Sequence, residues 1–181
     1  MNIIQHDLTM SDQGWTNTAP LVPQTGGVYL HFGQVTHQDT LYWIPLRFGQ
    51  AANLHRRWFK DRGSHKDAFR AIKHQDVFWK GKPYIDTYPN YAEFFDQLRQ
   101  HCPNTTLLLV LLPHSSKSTR ETIEKRFIQL CHPVWEQTYA KRKRNTWQTP
   151  FLDAATQWIH NNPNTCKAIH QAQSLVDYIK R

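Results

Sequence analysis

Acidic residues are scarce in this chain of 181 residues. It has 14 Asp and Glu against 22 Lys and Arg, a formal net charge of +8 and a pI near 9.5. Positive charge at this level favours polyanions, and nucleic acid is the commonest of these. Cysteine is rare too: Cys102, Cys131 and Cys166 lie far apart and form no C-x-x-C pair. A structural zinc site is therefore not expected, and the thiols read as reduced and intracellular. The 11 histidines supply neither H-E-x-x-H nor H-x-x-x-H on a helical pattern. Long apolar runs are missing. The longest, Leu107 to Leu112, falls far short of the ~20 residues that cross a bilayer. The first residues carry Gln5, Asp7 and Asp12 and lack a basic start followed by an apolar run, so no signal peptide is expected. The expectation is a soluble, cytoplasmic protein with no membrane partner. No internal repeat or low-complexity segment is present.

A hydrophobic content of 39% with 13% aromatic residues belongs to a folded chain. The length allows one domain with a real core, or a domain plus a small appendage. Residues 1–24 hold Pro20 and Pro23 and little periodicity, and read as an N-terminal arm. From Gly27, alternation puts Val28, Leu30 and Phe32 on one strand face and Tyr29 and His31 on the other. A second strand over 40–48 places Ile44, Leu46 and Phe48 on one face and Trp43 and Arg47 on the other. Pro45 marks an edge or a bulge in it. The short polar link between the two predicts an antiparallel hairpin. Helices are expected from Leu54 to about Arg62, over Lys66–Gln75, and over Tyr91–Cys102 with Phe94, Phe95 and Leu98 inward. Thr105–Leu112 has the length and continuity of a central buried strand. Ser118-Thr119-Arg120-Glu121 reads as a capping box that opens a helix to Cys131. A helical pair follows at roughly 151–160 and 165–180, offering packing elements or a homodimer surface.

Leu46-Arg47-Phe48-Gly49-Gln50-Ala51-Ala52-Asn53-Leu54-His55-Arg56-Arg57-Trp58 is the stretch with the most chemistry in it. It reads as a strand end, a glycine turn, an Asn cap and a basic helical turn. Leu54 and Trp58, four apart, share the buried side. Arg57 beside that edge is placed for a phosphate, or else snorkels over Trp58. Glu124 stands in register with Phe127, Ile128 and Cys131. A carboxylate on an apolar side is costly unless it is paired or bound to a metal.

Three segments together resemble the GIY-YIG nucleases. Gly27-Val28-Tyr29 is similar to the GIY motif, and Arg47-Phe48-Gly49 stands where that family has YIG. Asn53-Leu54-His55-Arg56-Arg57 looks like its N-L-x-x-R continuation, and Glu124 to Trp135 resembles its later segment of glutamate, apolar pair, proline and aromatic. The likeness covers roughly residues 26–136. It implies an α+β fold with a small three-stranded antiparallel sheet flanked by helices, here with an extra C-terminal helical pair. The implied domain spans 25–136 with an insertion around 76–103, followed by a basic segment and helices over 137–181. The implied activity is endonucleolytic hydrolysis of double-stranded DNA with one Mg²⁺ or Mn²⁺. Carried over by position, Tyr29 orients or deprotonates water, Arg57 holds the scissile phosphate and Glu124 ligates the metal. A lone carboxylate suffices for an ion that keeps most of its waters.

The chain departs from that pattern at four places. Arg47 replaces the YIG tyrosine, and Gln50 stands where lysine is common. Asp61 replaces an aromatic or histidine, with His65 a substitute nearby, and Glu136 replaces an asparagine. Arginine cannot serve as a base. Arg47 either activates Tyr29, grips phosphate, or marks a nuclease-like module that binds DNA or a protein partner without chemistry. His31 either contacts phosphate, relays a proton, or is a plain hydrogen-bonded histidine. Arg56, Lys60 and the run Lys141, Arg142, Lys143 and Arg144 are candidates for tracking the DNA backbone, where affinity falls steeply with salt.

Overall fold

The structure is a computed structural model that describes residues 2–11, 14–15, 22–60, 78–79, 82–83, 89–134, 151–162 and 171. Its strands are β1 (Asn2–Ser11), β2 (Gly14–Trp15), β3 (Gly27–His37), β4 (Thr40–Ala51), β5 (Phe78–Trp79), β6 (Lys82–Pro83) and β7 (Asn104–Leu111). Among the described residues three α-helices accompany them: α1 (Pro89–His101), α2 (Lys117–Cys131) and α3 (Phe151–Asn161). A π-helical turn covers Arg56–Lys60. None of the described helices is long and apolar enough to cross a membrane.

The fold is α+β, with four long antiparallel strands in the order β1-β7-β3-β4 and the two-residue β2 paired on β1. The expectation of three strands is corrected by β1. Residues 2–11 are not an irregular arm: they pair with β7 from Asn2 opposite Leu111 to Thr9 opposite Asn104. Their alternation is blurred in the sequence because His6 occupies a slot between Ile4 and Leu8. A partner about a hundred residues away supplies what the local pattern lacks. β7 lies inside the sheet, and Thr105 to Val110 are all buried. Burial on both faces is why it reads as a continuous apolar run.

Pro45 marks both things it can mark. β4 is an edge strand, and the ladder steps from His31–Arg47 to Phe32–Pro45, leaving Leu46 as the extra residue of a bulge. The bulge shifts side-chain parity, which corrects the expected faces of β4. Ile44 and Leu46 join the core on the Tyr29 side, whereas Phe48, with Trp43 against it, joins the core on the other side. Arg47 pairs with His31 and so shares the Tyr29 face.

Each face of the sheet carries its own core. Tyr29, Leu107 and Leu109 pack with Leu54, Trp58, Phe94 and Leu98, together with Phe151 and Trp158 of α3. Val28, Leu30, Phe48 and Val110 pack against Phe127 and Cys131 of α2. Phe94 and Leu98 point inward on α1 as their spacing predicts, and Trp158 Nε1 donates to the Cys131 carbonyl at 2.8 Å, tying α3 to the end of α2. The expected helix over 66–75 lies outside the described residues, as does that over 165–180 apart from Gln171, which is an exposed bend, and as does the side chain of Phe95.

Candidate functional site

β3 and β4 bring their open ends together at one edge of the molecule. The Leu112 amide donates to the Gly26 carbonyl at 2.9 Å, and the Leu54 amide donates to the Thr25 carbonyl at 2.8 Å. Asn53 caps the following turn as its side chain predicts, with Oδ1 accepting from the Arg56 amide at 2.9 Å. Leu54 and Trp58 are both 0% exposed. Burying an indole of this size contributes on the order of 4–6 kcal/mol, enough to hold a π turn that is rare in isolation. The sequence predicts an α-helix here, and the wider turn is the difference. Fixing Trp58 leaves Arg56 exposed and Arg57 half-buried beside it.

Across from this turn stands the amino end of α2. Ser116 is its N-cap, in extended backbone, and its Oγ accepts from the Thr119 amide at 3.1 Å. This moves the cap two residues from the expected Ser118. Glu121 does not close a capping box but sits 3.5 Å from Lys117. One turn into α2, Arg120 is only 7% exposed. Its Nε donates to Gln50 Oε1 at 3.2 Å, and its Nη1 donates to the Ser115 carbonyl and, at 3.4 Å, to Ser115 Oγ. Gly26 lies beside that guanidinium: a Cβ there would be in ordinary contact with Arg120 Nη1 at 3.5 Å and tight only against the Leu112 carbonyl at 3.3 Å.

Between the turn and α2 lies a cleft of about 500 Å³, walled by Gln50 to Asn53 and by Arg56, Arg57, Lys117 and Arg120. Four cations and no carboxylate line it, and Glu121 offsets only Lys117 from outside. Positive charge on low-dielectric walls focuses potential on whatever enters. Planar guanidinium forks match the geometry of phosphate oxygens. The aligned amides of the α2 amino end act in the same direction.

The candidate catalytic residues are distributed over both sides of the sheet. Arg57 and Arg56 line the cleft. Tyr29 is 1% exposed, with its hydroxyl over Gly49, where any side chain would collide with it. Its ring meets Trp58 edge-on at 5.5 Å, and His31 meets the same indole at 5.3 Å. His31 is 1% and Arg47 8% exposed. Burial in the first place, and the Arg47 guanidinium in the second, push the His31 pKa down to about 3. That imidazole is neutral at physiological pH and adds no charge to a phosphate site. Glu124 is half-buried on α2, whose buried residues pack on the other face of the sheet. Tyr29 and Glu124 thus belong to opposite layers, and neither lines the cleft. His65, Glu136 and Lys141, Arg142, Lys143 and Arg144 lie outside the described residues, as does the side chain of Lys60.

The cleft lining does not fit a divalent cation, because its charged groups are all positive. Among the described residues no three His, Cys, Asp or Glu side chains are grouped for a metal. The sequence reading missed Arg120, Lys117 and Gln50 as site residues. One signal was available: Arg120 shares the helical stripe of Ile123, Phe127 and Cys131, a basic residue in an apolar register. No family model, curated protein or solved structure matches the chain.

Proposed function

We propose that this protein binds the phosphate backbone of DNA through the basic cleft, as a nuclease-like module. The observation that carries this reading is the convergence of Arg56, Arg57, Lys117 and Arg120 on one cavity with no carboxylate in its lining. The net charge of +8 supports it, since a polyanion is drawn to the whole molecule before it meets the cleft. Duplex retardation between 50 and 200 mM salt tests it. Three to four neutralised phosphates give a slope of log affinity against log salt of about −3. Arg57→Ala and Lys117→Ala should each weaken binding to all sequences alike and reduce that slope by about 1. A chain that fails to retard duplex at the lowest salt, or a double variant with an unchanged slope, refutes the assignment.

Hydrolysis is the second reading, and the position of Arg57 favours it, since a guanidinium held on a phosphate serves cleavage as well as binding. Under that reading Glu124, which does not itself line the cleft, would hold a Mg²⁺ or Mn²⁺ ion, and that ion would supply Lewis acidity. Plasmid nicking that requires the ion, and that Tyr29→Phe, Arg57→Ala and Glu124→Ala each abolish, would establish it over binding alone.

A further inference from the structure

The charge balance around Arg120 is unusual for a buried group. It is more than nine-tenths buried, yet no carboxylate among the described residues pairs with it. Its bonds from Nε and Nη1 go to neutral oxygens of Gln50 and Ser115, and Nη2 donates to none of the described residues. A guanidinium taken out of water without a counter-charge is costly, and neutral acceptors compensate only in part. Three more cations surround the same cavity. The bonds from Gln50 and Ser115 fix the plane of the guanidinium, leaving its remaining nitrogen for an anion that enters the cleft.

We infer that this cleft takes a terminal phosphomonoester of a nucleic acid, with Arg120 as the ligand at its floor. The inference deepens the reading of the cleft as a site for nucleic-acid phosphate and rests on it. Two features select an end over an internal linkage. An internal diester is tied to sugars on both sides and carries a single negative charge, so it lies along a surface and meets Arg56 and Lys117 first. A terminal phosphate has one ester link, three unesterified oxygens and close to two negative charges at neutral pH. It alone can project inward to a guanidinium as recessed as Arg120. The surplus of cations over any acid in the lining matches a dianion better than a monoanion.

Fluorescence anisotropy with the full chain tests this on one oligonucleotide in three forms: 5′-phosphorylated, 3′-phosphorylated, and hydroxyl at both ends. The expected result is binding of at least one phosphorylated form tighter than the hydroxyl form by about tenfold or more, as a charge-assisted pair of bonds provides. Arg120→Met, which keeps the stem and removes the charge, should erase that preference, so that the three forms bind alike. Equal binding of all three forms by the wild-type chain overturns the inference while the backbone reading stands. Failure of every form to bind overturns both. Competition by thymidine 5′-monophosphate as strong as that of the phosphorylated oligonucleotide also overturns it, because the site is then one for free nucleotides. Should Arg120→Met not fold, the comparison of ends on the wild-type chain still decides.

Discussion

His31 and Arg47 face each other across the hairpin, both almost fully buried, and burial leaves the imidazole uncharged. The consequence is a pH dependence of stability with a definite sign. The folded pKa of about 3 lies below the ordinary value of 6.5, so between those limits the unfolded chain binds a proton that the folded chain refuses. The contribution of a neutral His31 is complete above pH 6.5 and is lost as the pH falls through that window, by at most about 1.4 kcal/mol per pH unit. His6 acts in the same direction, its pKa lowered by burial and partly restored by Asp7. Urea unfolding at pH 7.5, 6 and 5 should show falling stability. His31→Phe, which keeps an aromatic ring against Trp58, should flatten that fall by up to one proton. Equal slopes for the two chains would mean that the imidazole charges inside the fold. The same neutrality bears on function: whatever binds phosphate in this molecule, His31 does not do it by charge.

At the scale of the element, α2 carries two of the four cations of the cleft, and its start is set by Ser116. Three serines, Ser115, Ser116 and Ser118, crowd the entry to the helix, and Ser116 Oγ lies 2.8 Å from Ser118 Oγ. Losing the Ser116 hydroxyl frees the Thr119 amide, at a cost of about 1 kcal/mol, whereas Ser118→Ala removes only a contact between hydroxyls. Denaturant midpoints of Ser116→Ala and Ser118→Ala should therefore separate, the first being the lower; the reverse order would restore Ser118 as the cap. The serine–glutamate spacing in the sequence points to Ser118 and Glu121, because Thr119 and not an acid follows Ser116 by three, and the extended backbone at Ser116 and its bond from the Thr119 amide decide against it. That is the general limit on what could be read in advance. Alternation in β3, the Leu54–Trp58 pair and the continuous run of β7 are local patterns, and the structure keeps them. The parity change at Leu46, the strand made by residues 2–11 and the burial of Arg120 depend on partners far along the chain. So the approximate place of the basic site was legible from Asn53 to Trp58, while its opposite wall was not.

For the whole molecule, the decisive arrangement is that β7 sits between β1 and β3 with both of its edges paired. Its segment Thr105 to Val110 is buried, uncharged and rich in branched apolar residues. Such a segment templates association between chains when an edge is bared. β1 prevents this by pairing along eight residues, and Thr106 Oγ1 donates to Asp7 to fasten the two strands further. On its outward side β1 pairs, among the described residues, with the two-residue β2. The cleft depends on this arrangement indirectly, because the end of β7 leads into Leu112, whose amide holds Gly26 beside Arg120. A chain lacking residues 1–11 should therefore lose solubility and, in its soluble fraction, elute from size exclusion as oligomers that bind a cross-β dye. Its phosphate binding should fall along with its melting temperature, since one strand supports both. A monomeric truncated chain with an unchanged melting temperature would show that β3 and β4 hold the cleft without β1, and that β7 tolerates an open edge.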